Sequence, residues 1–456
     1  MSTSMSSTNG YQENDDLPNG TSINGLITDL PIPDSGDPEL FDPDCDPSHP
    51  VRINYQDVAA AHYRIHRGIE CTPCKNSKLS KAIDVHLYLK MDFLQVTGSF
   101  KERGARNYLS LIPQTGRKRG VITSSAGNHA QALGYHGREL GIPVTVVMPT
   151  RAPMMKVENC VALGANVILK GIDMSEAKPY AMKVGKVNNI PYCDGYDHPA
   201  IIAGQGTVAL EILEQVPNVD AIIVPVGGGG LIAGVAAAVK ELRPEVKVYG
   251  VEPDRSAAFS ASLKCGKPFY VPSEQTIADG LAVSAVGVNA LHTCLGLIDK
   301  MIQVDEASIH RAIVRLLEVE KFVVEGGGAA SVAVFMADLV PELKGKRVVS
   351  ILTGGNIDTT ILGRVLERGL AFEGRMCRFT VLVSDRPGGI AELCGLLGGL
   401  GVSIKDIFHE RAWIHSSVYN VQVKLVCETR DANHAAELER VLRQHYDHVV
   451  WGASAV

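Results

Sequence analysis

In the stretch Thr97-Gly98-Ser99-Phe100-Lys101-Glu102-Arg103-Gly104-Ala105, one lysine stands between two different patterns. The alternating apolar run Val85-His86-Leu87-Tyr88-Leu89-Lys90-Met91 precedes it, and a helix-period pattern follows it to Leu111. The change of period predicts Lys101 on a strand-to-helix turn. The positive end of a helix dipole and a semi-buried turn both disfavour an ammonium, so they lower the lysine's pKa and free a neutral amine as a nucleophile. Such an amine can form a Schiff base with a carbonyl.

Beyond this turn, short β-type runs alternate with amphipathic helices: 120–123 then 128–141, 144–148 then 155–164, 167–169 then 175–188. Helix-length connections between strands demand crossovers and a mostly parallel sheet covered on both faces, so the class is α/β. Ligands of such sheets bind at the carboxyl ends of the strands, where three loops fall. Ser124-Ser125-Ala126-Gly127-Asn128-His129 opens a helix and offers hydroxyls and N–H groups to a carboxylate, although an N-cap alone would also explain it. The apolar run 221–226 leads into Gly227-Gly228-Gly229-Gly230 and another helix, a backbone cradle suited to phosphate. Neither the Gly-x-x-x-x-Gly-Lys-Ser/Thr loop nor a clean dinucleotide fingerprint is present, which argues against a nucleotide. The run 348–352 delivers Thr353-Gly354-Gly355-Asn356.

Ser99-Phe100-Lys101, with an aromatic beside the lysine and glycine on either flank, resembles the cofactor lysine of fold-type II pyridoxal-phosphate enzymes. That group holds threonine dehydratase, serine dehydratase and serine racemase. The resemblance implies a tryptophan synthase beta-like fold and pyridoxal 5'-phosphate carried on Lys101 beside Phe100. It implies Asn128 at the cofactor's phenolic oxygen, Gly227, Gly228, Gly229 and Gly230 at its phosphate, and Thr353 at its pyridine nitrogen. The substrate carboxylate is expected at Ser125, Gly127, Asn128 and His129, with His129 stabilising the loop rather than acting as a base. Glu325, in Val324-Glu325-Gly326-Gly327-Gly328-Ala329, is expected to line the same pocket. In serine racemase-like relatives a Glu matching Glu252 and an Asp six residues on help bind a divalent cation. Ala258 stands at the second position, so a monovalent cation held mostly by carbonyls is the alternative.

After residue 370 the pattern changes to βαββαβ, over 377–384, 388–400, 402–410, 417–427, 431–446 and 449–451. This predicts a ferredoxin-like α+β unit. The turn Asp385-Arg386-Pro387-Gly388-Gly389 before Ile390-Ala391-Glu392-Leu393 is similar to that of ACT regulatory domains. That likeness implies an amino-acid effector at Asp385, Gly388 and Gly389. A packing module whose Pro-Gly turn only starts a helix is the alternative. The expected divisions are a disordered acidic tail over 1–50, a catalytic part over 51–370 with two α/β subdomains, a linker near 369–375, and the ACT-like unit over 375–456.

Bulk properties agree with a metabolic enzyme. The chain has 456 residues, 45% of them hydrophobic, enough for several cores. Its formal charge of −6 gives no basic field for nucleic acid. No apolar run approaches the ~18 residues of a membrane span. Residues 1–50 hold ten Asp or Glu and no Lys or Arg, unlike a signal or transit peptide. Ten scattered cysteines suit a reducing compartment, so the cytoplasm is expected; Cys71-Thr72-Pro73-Cys74 reads as two unpaired thiols around a turn.

The implied reaction is ammonia-lyase chemistry: L-threonine to 2-oxobutanoate and ammonia, and L-serine to pyruvate, with Lys101 removing the α-proton. Serine racemase or serine dehydratase is the nearest alternative. Racemisation needs an acid on the face opposite the lysine, where the racemase has a serine and this chain has Ala126. A relative that has lost catalysis and only senses amino acids is the alternative from another class. The family resemblance also implies a homo-oligomer, dimer or tetramer.

Overall fold

The structure, a computed structural model, describes residues 22–23, 26–27, 42–412 and 417–452. Three sheets organise the described residues. The first runs in the order Ser22–Ile23, Leu26–Ile27, Asn166–Leu169, Val144–Met148, Val121–Ser124, the last three strands parallel. The second runs Lys300–Val304, Lys247–Pro253, Ala221–Pro225, Arg347–Ile351, His86–Lys90, Cys74–Asn76, parallel except for that last edge strand.

Every residue of Val144–Met148 and of Ala221–Pro225 is buried, as strands covered on both faces must be. Alternate residues feed different cores. Ile222 and Val224 pack with the helices Pro199–Gln215 and Gly230–Leu242, while Ile223 points into the core shared with Glu306–Arg315 and Gly326–Met336. The α/β class read from the sequence is therefore the observed one.

The helix Lys101–Leu111 lies against Pro199–Gln215 at glycine-to-backbone distance: a Cβ on Gly204 would sit 2.6 Å from the carbonyl oxygen of Arg103. Beneath that contact is a buried ion network. The Arg103 guanidinium donates to both oxygens of Asp92 (2.7 and 2.8 Å) and both of Glu211 (2.6 and 2.9 Å), and Lys90 Nζ reaches Glu211 at 2.5 Å. The helix carrying Lys101 is thus fixed in rotation by a forked charge pair, not only by apolar packing.

The third sheet is antiparallel, in the order Ser403–Glu410, Asn420–Glu428, Met376–Ser384, Val449–Trp451. With the helices Gly389–Gly399 and Ala432–His445 it completes the expected βαββαβ order. Asn420–Glu428 alternates buried and half-buried residues, the signature of a sheet covered by helices on one face. The expected linker is shorter than read: helix Thr359–Phe372 runs on to Phe372, and the turn that follows contains Gly374 at φ 67°.

Two parts of the expected tail are ordered against the body. Ser22–Ile23 and Leu26–Ile27 form an antiparallel pair joined to the first sheet, Leu26 opposite Val167. Residues 42–50 also pack: Asn289 Nδ2 donates to the Asp44 carbonyl (2.6 Å), His198 Nε2 meets the Asp44 carboxylate (3.2 Å), and Val51 N–H donates to Asn289 Oδ1 (2.7 Å). Polar side chains of the body hold this segment through both the carbonyl and the carboxylate of Asp44, long-range contacts that its composition does not signal. The rest of 1–41 lies outside the described residues.

Candidate active site

Lys101 opens its helix from a turn with no side-chain cap, and its Nζ donates to the Gly195 carbonyl at 2.5 Å. The residue is partly buried, and loss of solvent around the amine pushes its pKa down to about 8, against the opposing pull of Asp194, Cys193 and Glu325. Near neutral pH a minor fraction of this amine, roughly a tenth, is free, far more than for a solvated lysine. The Phe100 ring lies 5.2 Å from Nζ, and Phe100 N–H donates to the Thr353 carbonyl (2.9 Å). Ser99 bridges to Gly354 in the same way, so the lysine turn and the loop 353–356 run side by side. Thr353 is 3% exposed.

Asn128 starts the helix Asn128–Leu140, and its carboxamide is held from two sides. Its Nδ2 donates to Glu325 Oε1 (2.7 Å), and its Oδ1 accepts from Asn356 Nδ2 (2.9 Å), which also donates to the Thr97 carbonyl (2.7 Å). This chain of bonds joins the two α/β units across the cleft. Burial, with Asp279 adding repulsion, pushes the Glu325 carboxyl up to about 7. In the loop 124–129, Ser125 Oγ accepts from Gly127 N–H (3.3 Å), and no heavy atom lies within 4 Å of where a Gly127 Cβ would stand. That open space adjoins the uncapped start of the helix. His129 is buried, packs on Gly195, and has neither ring nitrogen in a hydrogen bond of ordinary geometry, although the Cys193 backbone is close. Burial and Lys101 hold its pKa down to about 3, so it is neutral and suits the loop-stabilising reading.

The glycine cradle is tightly wound. Gly229 sits at φ 97°, and a Cβ there would fall 2.2 Å from the Phe259 ring, so only glycine fits. A Cβ on Gly228 would meet the Tyr196 ring at 2.3 Å, and Gly227 lies over the backbone of Leu281. Gly230 then opens the helix Gly230–Leu242, whose first turn no side chain caps. Uncapped N–H groups at a helix start are a seat for an anion.

These features fit a cofactor bearing an aldehyde and a phosphate. The amine is desolvated and partly free, the cradle is open to an anion, and the buried Ser99 hydroxyl has no hydrogen-bond partner of its own. The Glu252 carboxylate accepts the backbone N–H groups of Phe259 and Ser260, both at 3.0 Å, so it caps the helix Ala258–Cys265. Among the described residues no group of three or more His, Cys, Asp or Glu could hold a metal. Asp385 is paired with Arg411 by two bonds of 2.8 Å, and Gly388, at φ 104°, precedes the uncapped helix that begins at Gly389.

The sequence reading missed several participants. Asn356 closes the Gly-Gly turn without a sequence-level role of its own, although an amide there can orient a neighbour. The loop Cys193-Asp194-Gly195-Tyr196-Asp197, which touches both the lysine and the cradle, was passed over; its only local signal is the Asp-Gly turn.

Comparison with known proteins agrees with this geometry. Residues 65–354 match the family described as pyridoxal-phosphate dependent enzyme. An L-threonine ammonia-lyase of Thermotoga maritima is 40% identical over 391 residues, covering 86% of this chain and 97% of that protein. Threonine deaminase isoform 2 of Solanum lycopersicum superposes with a TM-score of 0.66 at 33% identity, covering 74% of this chain and 99% of that one. Maize serine racemase gives a TM-score of 0.66 at 32% identity, with 70% and 98% covered. With a desolvated lysine, an anion cradle and a family match that spans both, the chain belongs to the pyridoxal-phosphate dependent enzymes.

Proposed function

We propose that the chain is an L-threonine ammonia-lyase that also accepts L-serine, releasing 2-oxobutanoate or pyruvate and ammonia. The observation that carries this reading is the Lys101 amine, desolvated and donating only to a carbonyl at 2.5 Å, beside a glycine cradle in a chain 40% identical to a protein of that activity. Pyridoxal phosphate supplies, when bound, an electrophilic aldehyde and an electron-accepting ring. Gly227, Gly228, Gly229 and Gly230 would receive its phosphate, Asn128 its phenolic oxygen, and Thr353 its ring nitrogen. The loop of Ser125, Gly127 and Asn128 receives the substrate carboxylate over the open helix start. Lys101 Nζ takes the α-proton. The Thr353 hydroxyl, unlike a carboxylate, would not hold that nitrogen strongly protonated, a setting that would favour loss of a β-substituent over transamination.

The likeness to serine racemase is as close in fold as that to threonine deaminase, so the fold alone does not choose between them. Ala126 favours elimination: it packs against the core of the first sheet and cannot deliver a proton. Purified protein is expected to be yellow and to release 2-oxo acid from L-threonine and L-serine, while Lys101→Ala does neither. D-serine formed from L-serine at a rate matching pyruvate would make racemase the better reading.

The division into a catalytic part over 51–370 and an ACT-like unit over 375–456 belongs to the same proposal. The βαββαβ order and the extent of the Thermotoga alignment, 391 residues, support it. With Asp385 engaged by Arg411, the exposed start of the helix at Gly388 and Gly389 is the part suited to an effector carboxylate. Ten unpaired cysteines support a reducing, cytoplasmic setting. Among the described residues no helix is long and apolar enough to cross a membrane. A homo-oligomer is proposed by resemblance to the family.

A further inference from the structure

The cleft contains one charged pair that the reaction as described does not use. Asp194, buried, accepts from Lys178 Nζ at 2.9 Å, and Lys178 comes from the neighbouring helix Met174–Asn188. The second oxygen of Asp194 accepts the N–H groups of Tyr196 (3.0 Å) and Asp197 (2.9 Å), which folds residues 194–197 around this carboxylate. The same loop has two further contacts. The Gly195 carbonyl holds Lys101 Nζ, and Tyr196 walls the cradle, its ring against Gly228 and its carbonyl against Gly230. Asp197 then accepts from Val288 N–H (2.9 Å) and Ala290 N–H (3.0 Å), beside Gly287, whose N–H donates to the Gly228 carbonyl (3.0 Å). One carboxylate therefore sets the loop that touches both the lysine and the phosphate seat.

We propose that Asp194 and Lys178 are positioning residues of this active site: Asp194 shapes the loop 194–197 against Lys101 and the cradle, and Lys178 offsets the negative charge that Asp194 places beside the Lys101 amine. The proposal rests on Lys101 being the cofactor lysine. Its electrostatic half follows from sign. A carboxylate near an amine favours the charged amine, and a cation bound to that carboxylate opposes it. Burial alone would raise the Asp194 carboxyl, but Lys178 and the two loop N–H groups outweigh it and hold it at about 2, so it is charged throughout the working range. The other titratable groups facing Lys101 are Cys193 from the same loop, Glu325 from the start of the helix Gly326–Met336, and His129 from the helix Asn128–Leu140. Burial keeps the Cys193 thiol well above its ordinary range and His129 is neutral. Glu325 titrates in wild type and variants alike, so differences between them report the pair.

The test uses the full-length enzyme loaded with pyridoxal phosphate, and its main readout is the pH midpoint of the visible absorption band. Lys178→Met leaves Asp194 uncompensated and is expected to raise that midpoint by about one pH unit, the order expected when a neighbouring charge is removed from a desolvated site. Asp194→Asn keeps a side-chain oxygen for the Tyr196 and Asp197 N–H groups and is expected to lower the midpoint. Lys178→Arg is expected to restore the wild-type value. The acid limb of the kcat/KM profile for L-threonine should move in the same directions. If Lys178→Met and Asp194→Asn leave the midpoint unchanged, or move it the same way, while the wild type carries the band, the charge role is overturned and the cofactor reading stands. A wild type that shows no band with added pyridoxal phosphate overturns both. Lys178 is only partly buried, so its variants are expected to fold; should Lys178→Met be isolated without its native circular dichroism, Asp194→Asn decides alone by the direction of its shift.

Discussion

Glu325 couples stability to pH through a single buried carboxyl. Burial, with Asp279 adding to it, pushes its pKa from 4.5 up to about 7, so the folded state binds a proton more tightly than the unfolded chain. The stabilisation this gives is complete below about 4.5 and is lost as pH rises through about 7, a change on the order of 3 kcal/mol by linkage. Glu325→Gln keeps an acceptor for Asn128 and cannot ionise. Its melting temperature relative to wild type is therefore expected to rise between pH 5 and pH 8, as thermal unfolding at a series of pH values would measure; a constant difference would mean that Glu325 ionises normally. At this scale the site was legible where chemistry writes itself into neighbours in sequence. Lys101 is flanked by its aromatic and glycines, and the four glycines of the cradle adjoin one another. Asn356 and Asp194 were not legible: Asn356 acts on Asn128, 228 positions away, and Asp194 bears on Lys101 only through the neighbouring Gly195 carbonyl, 94 positions from that lysine, contacts that only the fold creates.

At the scale of elements, the lysine helix depends on the network beneath it. Arg103 is fully buried with two carboxylates forked onto it, and removing it leaves Asp92 without its cation partner and Glu211 with Lys90 alone. Arg103→Met is expected to lower the unfolding free energy by about 3–5 kcal/mol, read from the urea midpoint. Arg103→Lys should rescue it poorly, because a point charge cannot serve Asp92 and Glu211 with paired bonds. Gly204→Ala tests the same contact from the facing helix: its methyl would press on the Arg103 carbonyl, with an expected cost of about 1–3 kcal/mol and weaker pyridoxal-phosphate retention. Unchanged stability and cofactor retention in Gly204→Ala would show that the two helices can separate without consequence for Lys101. The parallel sheets were readable from runs such as 221–225, apolar at every position because both faces are covered. The charges inside the fold were not. Lys90, Asp92, Arg103 and Glu211 look in sequence like any solvated surface, and nothing local marks them as partners.

Over the whole molecule, the C-terminal unit has its own apolar interior. Phe379, Val381, Leu393, Leu397, Val423, Leu438 and Leu442 form one core among themselves, separate from those of the two α/β units. Ion pairs cross the junction: Arg375 with Glu318 at 2.8 Å, and Lys405 with Glu367. Partly exposed pairs of this kind are worth about 0–1 kcal/mol each, too little to fuse two cores into one cooperative block. Calorimetry of the full chain is therefore expected to resolve two transitions. Added pyridoxal phosphate, which binds only the native catalytic part, should raise one of them and leave the other in place. Leu438→Ala should do the reverse, lowering the second transition through a loss of about 2–5 kcal/mol while 2-oxo acid release at 25 °C is kept. If both perturbations move a single shared transition, the C-terminal unit is an integral part of the catalytic fold. If they separate, an effector at the site proposed for Gly388 and Gly389 would have to act through the short turn at Gly374, through the ion pairs of the junction or through contacts between chains, because the buried core of the C-terminal unit is separate from the others among the described residues.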